Sequence, residues 1–400
     1  MNKKHINRNV ILFMLIVLFW GFEVLSADTY YGLKEAAYSL IVKHESLDSF
    51  IENVDTVSSK QLRNHKDFMD LYIVFQRLTG SSVIEKDDGT KIAWTDNGYL
   101  GTGVKYVSDE ELEKSAAAVM ELSDAAQAGN AKFLYVMAPV KGTWEEYPAG
   151  VDNFAISNHN RFVSMLEDKE VPTLDLYKEM KKCQMGEEDY FKTDHHWKPL
   201  TGFWAFGEIC QNLQERYGFC YDTQFTDIEN YHVTTIPNSF LGSTGKKIGT
   251  AFGMVDVDDF DVISPKFETA FIEERPFADH VRQGDFKETM CYPERLVGEL
   301  TEKNDYAYYS GGDFRLQILT NLNHPDGKTF VVVRDSYASP VTPFLSMVAK
   351  QVYVTDVRNF EWYVGEKQNI FEMIEDIQPD YVIVLYSGAE TDIYGRYDFH

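Results

Sequence analysis

The sequence predicts an α/β protein in which a parallel sheet is flanked by helices. Five segments have the composition of strands buried in such a sheet: 132–138, 171–176, 328–333, 351–357 and 380–386. Segments of helical periodicity lie between several of these strands, and this alternation is typical of parallel sheets. With 400 residues, of which 44% are hydrophobic, the chain is long enough to bury one large core.

The N-terminus carries a predicted export segment over residues 1–27. Three basic side chains at positions 3–8 precede the uninterrupted apolar run 10–22, as in signal peptides and signal anchors. The run is shorter than the roughly 20 apolar residues of a spanning helix, which favours a signal peptide over a membrane anchor. In either case we expect the rest of the chain to be extracytoplasmic.

Between this segment and the sheet the sequence changes character. Residues 28–80 are polar with apolar positions at helical spacing, which predicts a helical stalk. The turn-forming pairs Asp88-Gly89 and Asn97-Gly98 flank short apolar pieces and predict a β-hairpin. We therefore expect a stalk and hairpin over 28–98, followed by the α/β domain over 99–400.

The elements of this domain have recognisable ends. Ser108 and Glu111 form a capping box, which predicts a helix that ends at Gly129. Helical periodicity also marks three later segments: 157–169, 199–217 and 367–377. The segment 221–327 is rich in aromatic residues and glycines and has no helical period, which predicts a partly β insertion.

The overall charge and the cysteines exclude several classes of protein. A formal net charge of −25 argues against nucleic acid as a partner, because phosphate contacts need clustered Lys and Arg. The four cysteines form no CxxC pair, so neither a structural zinc site nor a disulfide scaffold is expected. Cys210 and Cys220 are either one disulfide or two thiols.

The densest group of reactive side chains is Asp194-His195-His196, just before the predicted helix at 199. In an extended segment, residues two apart share a face, so we expect Asp194 beside His196 and His195 pointing away. A carboxylate bonded to an imidazole fixes its tautomer and stabilises the imidazolium form. The pair therefore predicts two members of a serine triad.

The candidate nucleophile is Ser336, which follows a predicted buried strand at the carboxyl edge of the sheet. The turn after it is expected to leave the amides of Ser336 and Tyr337 free to hold an oxyanion. Trp197 is a candidate for stacking on a sugar ring. Lys141, in the loop after strand 132–138, is a further candidate for substrate binding.

Three strings carry a resemblance to a known family: YFKTDHHWKPLTG at 190–202, VVVRDSYASP at 331–340 and QPDYVIVLY at 378–386. They resemble the bacterial DHHW protein family, which is similar to the SGNH hydrolase-like domains of the alginate O-acetylation proteins. The resemblance implies a circularly permuted SGNH hydrolase fold. In it, Asp194 and His196 match the Asp-x-His element and Ser336 matches the catalytic serine, whereas Arg334 replaces a common glycine.

The resemblance also implies a reaction class. Related proteins transfer or remove acyl groups on cell-surface carbohydrate, and often act beside a membrane-bound O-acyltransferase. We therefore expect an extracytoplasmic, serine-dependent O-acetyltransferase or esterase with a polysaccharide substrate. Neither a cofactor nor a metal is expected.

Two other functions are compatible with these residues. Arg334 in place of glycine favours a catalytically inactive glycan-binding or scaffold protein of the same fold. Alternatively, Asp194, His195 and His196 join the acidic group at 256–261 in a metal-dependent phosphoesterase site. An extended strand does not aim three consecutive side chains at one ion, which favours the triad over the metal site.

Overall fold

The computed structural model describes residues 27–41, 79–86, 89–248, 256–358, 368–388 and 395–400, together with residues 43, 46, 49 and 76. The chain divides into two compact units, 1–80 with 250–254 and 81–249 with 255–400. The first unit contains helix α1, Ala27–Ile41. The apolar run of the predicted export segment lies outside the described residues, and no described helix is long and apolar enough to cross a membrane.

The second unit contains the other strands and helices whose bounds the structure describes. Its strands are β1 Val83–Glu85, β2 Lys91–Trp94, β3 Leu100–Thr102, β4 Lys132–Ala138, β5 Thr173–Asp175, β6 Tyr231–Phe240, β7 Asp258–Pro265, β8 Phe271–Arg275, β9 His280–Gly284, β10 Leu316–Asn321, β11 Thr329–Arg334, β12 Gln351–Thr355 and β13 Tyr381–Ser387. Its helices are α2 Asp109–Ala128, α3 Ala155–Asp168, α4 Leu176–Lys182, α5 Pro199–Tyr217, α6 Ser243–Ile248, α7 Phe286–Met290, α8 Thr342–Leu345 and α9 Ile370–Ile377.

The central sheet has eight strands in the order β5-β4-β13-β11-β12-β10-β8-β9. The first five strands in this order are parallel, and β10, β8 and β9 continue the sheet in antiparallel pairings. The predicted α/β class is therefore confirmed, and each of the five predicted strand segments overlaps a strand. Serine 336 follows β11, in the interior of the sheet.

The segment 221–327 contributes strands, as its composition predicts. Three of them, β8, β9 and β10, extend the central sheet, whereas β6 and β7 pair with each other in a separate two-stranded sheet. Strand β7 begins at Asp258, close to the loop that carries the Asp-His-His sequence. The insertion therefore supplies both an edge of the sheet and support for the candidate site.

Both faces of the parallel part of the central sheet are buried, as a parallel sheet flanked by helices requires. Along β11, Phe330 and Val332 pack in the core that includes α5. Val331 and Val333 pack in a second core on the other face, with residues of α2, α3 and α9. The continuous apolar run in the sequence thus reflects a strand covered on both sides.

Local signals explain where the long helices begin and end. Ser108 and Glu111 bond reciprocally at the start of α2, which confirms the predicted capping box. Helix α5 begins with Pro199 and ends at Gly218, whose left-handed φ of 70° favours glycine. Within α5, a Cβ at Gly202 would lie 2.5 Å from Pro340, so glycine lets α5 approach the turn after Ser336.

The four cysteines are free thiols. Cys210 is buried on α5, while Cys220 is exposed beyond the end of that helix. Of the two alternatives for this pair, the structure has two separate thiols.

Candidate active site

Asp194, His196 and Ser336 form one hydrogen-bonded row. Asp194 Oδ1 lies 2.5 Å from His196 Nδ1, and His196 Nε2 lies 2.7 Å from Ser336 Oγ. Asp194 and His196 are buried, and Ser336 is half-buried. In this arrangement a carboxylate orients an imidazole, which in turn receives the proton of a hydroxyl nucleophile. The structure thus brings together the three residues nominated from the sequence, and their catalytic roles stay a prediction.

The Asp-His loop, residues 192–196, is a series of bends and not an extended strand. Asp194 Oδ1 accepts a hydrogen bond from the backbone amide of His196 at 3.0 Å, which closes a tight turn. The expectation that His195 points away is therefore wrong. Its ring packs against that of His196, with 3.8 Å between ring centroids.

Lys141 holds the Asp-His loop through its ammonium group. Its Nζ donates to the carbonyl oxygens of Leu100, Phe191, Lys192 and Asp194 at 2.6–3.2 Å. Only 3% of Lys141 is exposed, and burial lowers the pKa of its ammonium group. The ammonium group therefore positions the loop, while Lys141 also lines the cavity next to Ser336, so its role in substrate binding stays a prediction.

Asp258, at the start of β7, clamps the same loop. Its carboxylate accepts hydrogen bonds from the amides of Lys192 and Thr193, each at 2.8 Å, and from the Thr193 hydroxyl at 2.6 Å. Burial raises the pKa of this carboxyl. The sequence placed Asp258 only in an acidic group, because a contact across 65 residues leaves no local pattern.

The second oxygen of Asp194 is also held. Asp194 Oδ2 accepts from the amide of Ser243 at 2.5 Å, at the start of α6. A Cβ at the preceding Gly242 would lie 2.2 Å from the Asp194 Cβ, so only glycine permits this approach. Burial would raise the pKa of Asp194, but the neighbouring His195 and His196 and these hydrogen bonds hold it well below its usual range.

The serine turn, residues 335–338, is tied to the neighbouring strand β13. Asp335 Oδ2 accepts from the amide and hydroxyl of Ser387 at 2.7 and 2.8 Å. Asp335 Oδ1 accepts from the amide of Tyr337 at 3.0 Å, so the expectation that this amide is free for an oxyanion is wrong. The amide of Ser336 has no acceptor among the described residues and remains a candidate oxyanion donor.

Trp197 and Tyr337 join the Asp-His loop to the serine turn. Trp197 is fully buried, and its indole nitrogen donates to the carbonyl oxygen of Tyr337 at 3.0 Å. The hydroxyl of Tyr337, also buried, donates to the carbonyl oxygen of His195. The prediction that Trp197 stacks on a sugar is therefore corrected, because its ring is not exposed.

Tyr306 is a part of the site that the sequence analysis missed. Its buried ring stacks on the imidazole of His196, with 3.9 Å between centroids and 19° between planes. The ring limits the rotation of His196 on the side away from His195. The sequence around Tyr306 is rich in aromatic residues, but composition alone does not show which aromatic ring contacts His196.

A pocket of about 330 Å³ opens beside Ser336. Its lining includes Gly101, Tyr147, His195, Ser336, Arg358 and Ser387. A volume of this size suits a small ligand or one residue of a larger one. The reactive hydroxyl therefore faces a cavity that admits part of a substrate.

The comparisons with known proteins agree with this fold. Residues 99–238 match the sequence model described as SGNH hydrolase-like domain, acetyltransferase AlgX. No curated protein matches the chain. Among solved structures, Bacillus cereus PatB1 with a sulfonyl adduct superposes with a TM-score of 0.62 and 21% identity, over 79% of this chain and 99% of that one. The fold is SGNH hydrolase-like.

A DHHW family protein from Eubacterium siraeum is a second structural relative of this SGNH-like chain. It has a TM-score of 0.57 and 18% identity, over 80% of this chain and 96% of that one. These likenesses confirm the resemblance carried by the three sequence strings. The matched region 99–238 contains Asp194 and His196, whereas Ser336 lies beyond it.

Arg334 departs from the usual SGNH pattern without entering the pocket. Its side chain is buried, and its guanidinium group bonds Asp313 and the carbonyl oxygen of Gly312. Burial would raise the pKa of Asp313, but Arg334 and Arg358 hold it below its usual value. The larger residue is therefore accommodated by an ion pair, while the hydroxyl of Ser336 keeps its bond to His196.

The structure contains features both for and against the alternative of a metal site. Asp194, His195 and His196 each offer a ligand atom, and these atoms lie within 4.8 Å of one another, because the loop bends. However, both nitrogens of His196 are engaged, with Asp194 and Ser336. The acidic residues at 256–261 bond other partners: Asp256 bonds Lys192, Asp258 bonds Thr193, Asp259 bonds Asn238 and Asp261 bonds Thr235. The serine site fits these contacts better.

Proposed function

We propose that this chain is an extracytoplasmic, serine-dependent O-acetyltransferase or acyl esterase that acts on a cell-surface or secreted polysaccharide. The observation that carries the proposal is the continuous row from Asp194 through His196 to Ser336, which opens into a pocket. The SGNH-like fold and the match to an acetyltransferase domain support the reaction class.

In the first half-reaction, Ser336 Oγ attacks the carbonyl carbon of an acyl ester while His196 Nε2 takes the hydroxyl proton. Asp194 holds Nδ1–H and stabilises the imidazolium that forms. The amide of Ser336 donates to the oxyanion of the tetrahedral intermediate. The intermediate collapses, the leaving alcohol takes the proton from His196, and an acyl ester of Ser336 remains.

In the second half-reaction, a hydroxyl of the polysaccharide or a water molecule attacks this ester. His196 takes the proton of the attacking hydroxyl and returns it to Ser336 Oγ. Attack by the polysaccharide completes transfer, and attack by water completes hydrolysis. The predicted export segment 1–27 supports a location outside the cytoplasm, where a membrane-bound O-acyltransferase would supply acyl groups.

Covalent labelling tests the nucleophile. PatB1 has been solved with a sulfonyl adduct, which motivates phenylmethylsulfonyl fluoride as the probe. We expect mass spectrometry to find one sulfonyl group on the peptide that contains Ser336. Ser336→Ala should abolish the label, and the control Ser164→Ala, at an exposed position of α3, should keep it. A folded protein that stays unlabelled would support the inactive, glycan-binding alternative.

A further inference from the structure

His195 also has a reactive side chain and lies in the site, but the proposed reaction steps do not use it. Its side chain is 56% exposed, in contrast to the buried Asp194 and His196 on either side. It lines the same pocket as Ser336. A substrate that reaches Ser336 therefore meets the imidazole of His195.

The orientation of this imidazole is fixed from one edge. Nδ1 of His195 lies 3.2 Å from the hydroxyl oxygen of Ser243 and 3.5 Å from Asp194 Oδ1. One ring face is covered by His196, and the backbone carbonyl is held by Tyr337. The ring is therefore positioned from its Nδ1 edge, while the opposite edge, which carries Nε2, has no hydrogen-bond partner among the described residues.

The contacts of Nδ1 also select the tautomer. Asp194 is an ionised carboxylate, and a negative charge 3.5 Å away favours a proton on Nδ1 over a lone pair. In the neutral ring the lone pair then lies on Nε2, which makes Nε2 a hydrogen-bond acceptor. A hydroxyl is a suitable donor for such a nitrogen, and a carbohydrate offers several hydroxyls on one rigid ring.

We propose that Nε2 of His195 accepts a hydrogen bond from a hydroxyl of the carbohydrate acceptor and so directs the acyl group to carbohydrate in preference to water. The inference rests on the proposed function and names the acceptor class of the same site. The hydroxyl bound by His195 is a second hydroxyl of the sugar, distinct from the one that attacks the acyl carbon on Ser336. Water has no second hydroxyl, so this contact favours sugar over water.

The proton and bond changes of the transfer step leave His195 unaltered. The bond between Ser336 Oγ and the acyl carbon breaks, and a bond from the acceptor oxygen to that carbon forms. The proton of the attacking hydroxyl passes to His196 and then to Ser336 Oγ. His195 is a specificity-determining residue, because it contacts the acceptor without exchanging a proton.

The partition between transfer and hydrolysis tests this assignment. The full chain is given 4-nitrophenyl acetate as donor and methyl α-D-glucopyranoside as acceptor, and acetylated glycoside and free acetate are quantified. We expect His195→Phe to lower the ratio of transfer to hydrolysis about tenfold, as loss of one hydrogen bond predicts. His195→Gln, whose amide oxygen replaces the Nε2 acceptor, should restore most of that ratio.

His232→Phe is the matched control, since His232 is exposed and lines a different cleft. A ratio that is the same in the wild type and in His195→Phe overturns the inference, including the case in which neither acetylates the glycoside. Sulfonyl labelling of the wild type distinguishes failure of the proposed function from failure of the inference about His195. Absence of label on Ser336 contradicts the proposed function itself, whereas a labelled protein with an unchanged ratio contradicts the role of His195 alone.

Discussion

The Asp-His loop and the serine turn meet in one site but are held in different ways. The serine turn follows β11 directly and is bonded through Asp335 to the adjacent parallel strand β13. The Asp-His loop has no regular secondary structure and depends on side chains distant in sequence, chiefly Lys141 and Asp258. The sheet therefore fixes the nucleophile, while a few buried polar groups fix the base. Loss of a buried polar group that holds the Asp-His loop should therefore have a larger effect than loss of one that holds the serine turn.

The largest effect should follow the removal of the Lys141 ammonium group. Lys141→Met keeps a side chain of similar length but removes the shared donor of four carbonyl oxygens, of which the Lys192 oxygen keeps the Leu100 amide as a donor. Since each unsatisfied buried polar group costs about 1–3 kcal/mol, we expect the free energy of unfolding to fall by about 3 kcal/mol or more. Urea denaturation measures this fall. Lys114→Met, at an exposed position of α2, should change it by less than about 0.5 kcal/mol.

Gly242 provides a second test of the loop. Gly242→Ala places a Cβ against Asp194, so Asp194 must shift from the position in which it bonds His196. We expect kcat/KM for 4-nitrophenyl acetate to fall by about a hundredfold, since misplaced catalytic groups cost rates of this order. Gly207→Ala is the control, because its Cβ has space within α5 and should stabilise the helix by about 0.5–1 kcal/mol. Equal activity in both variants would show that Asp194 tolerates displacement.

The pH dependence of stability should report the lowered pKa of Asp194. A carboxyl with a lower pKa in the folded state stabilises the fold above its unfolded pKa, which is about 3.9. This contribution is lost as the pH falls from about 4 toward the folded-state pKa. The difference in unfolding free energy between the wild type and Asp194→Asn should thus shrink as the pH falls below about 4. A difference that does not change below pH 4 would contradict the assignment.

The smallest effect is expected on the serine turn. Asp335→Asn keeps one amide oxygen as acceptor, and β11 continues to hold Ser336 at the edge of the sheet. We expect a loss of about 1 kcal/mol in the free energy of unfolding and a decrease in kcat/KM of about tenfold or less. If Asp335→Asn destabilises the protein more than Lys141→Met does, the proposed contrast between turn and loop is wrong.

The same contrast explains what the sequence could and could not predict. Ser336 was identifiable because a buried strand and its end are local patterns, and Asp194 and His196 because they are adjacent in the chain. The bend that brings His195 onto His196 was not predictable, since it depends on Lys141, Asp258 and similar long-range contacts. The wrong assumption of an extended segment still selected the two residues that the structure joins by a hydrogen bond, because a tight turn also brings residues i and i+2 together.

For the fold as well, local sequence patterns were predictive and contacts between distant segments were not. The parallel strands were predicted from continuous apolar runs, which arise because both faces of the sheet are covered. The pairing of β8, β9 and β10 with the sheet was not predicted, because it joins segments that are distant along the chain. Tyr306 was missed for this reason, as its stacking on His196 crosses 110 residues of sequence.

The most direct test of the central claim is to trap the acyl-enzyme. The full chain is mixed with 4-nitrophenyl acetate, quenched rapidly in acid and digested, and the acetylated peptides are identified by mass spectrometry. We expect one acetyl group on Ser336 in the wild type and none at that position in Ser336→Ala, and far slower acetylation in His196→Ala. Turnover of the ester by Ser336→Ala at the wild-type rate, without acetyl-Ser336 in the wild type, would contradict the account.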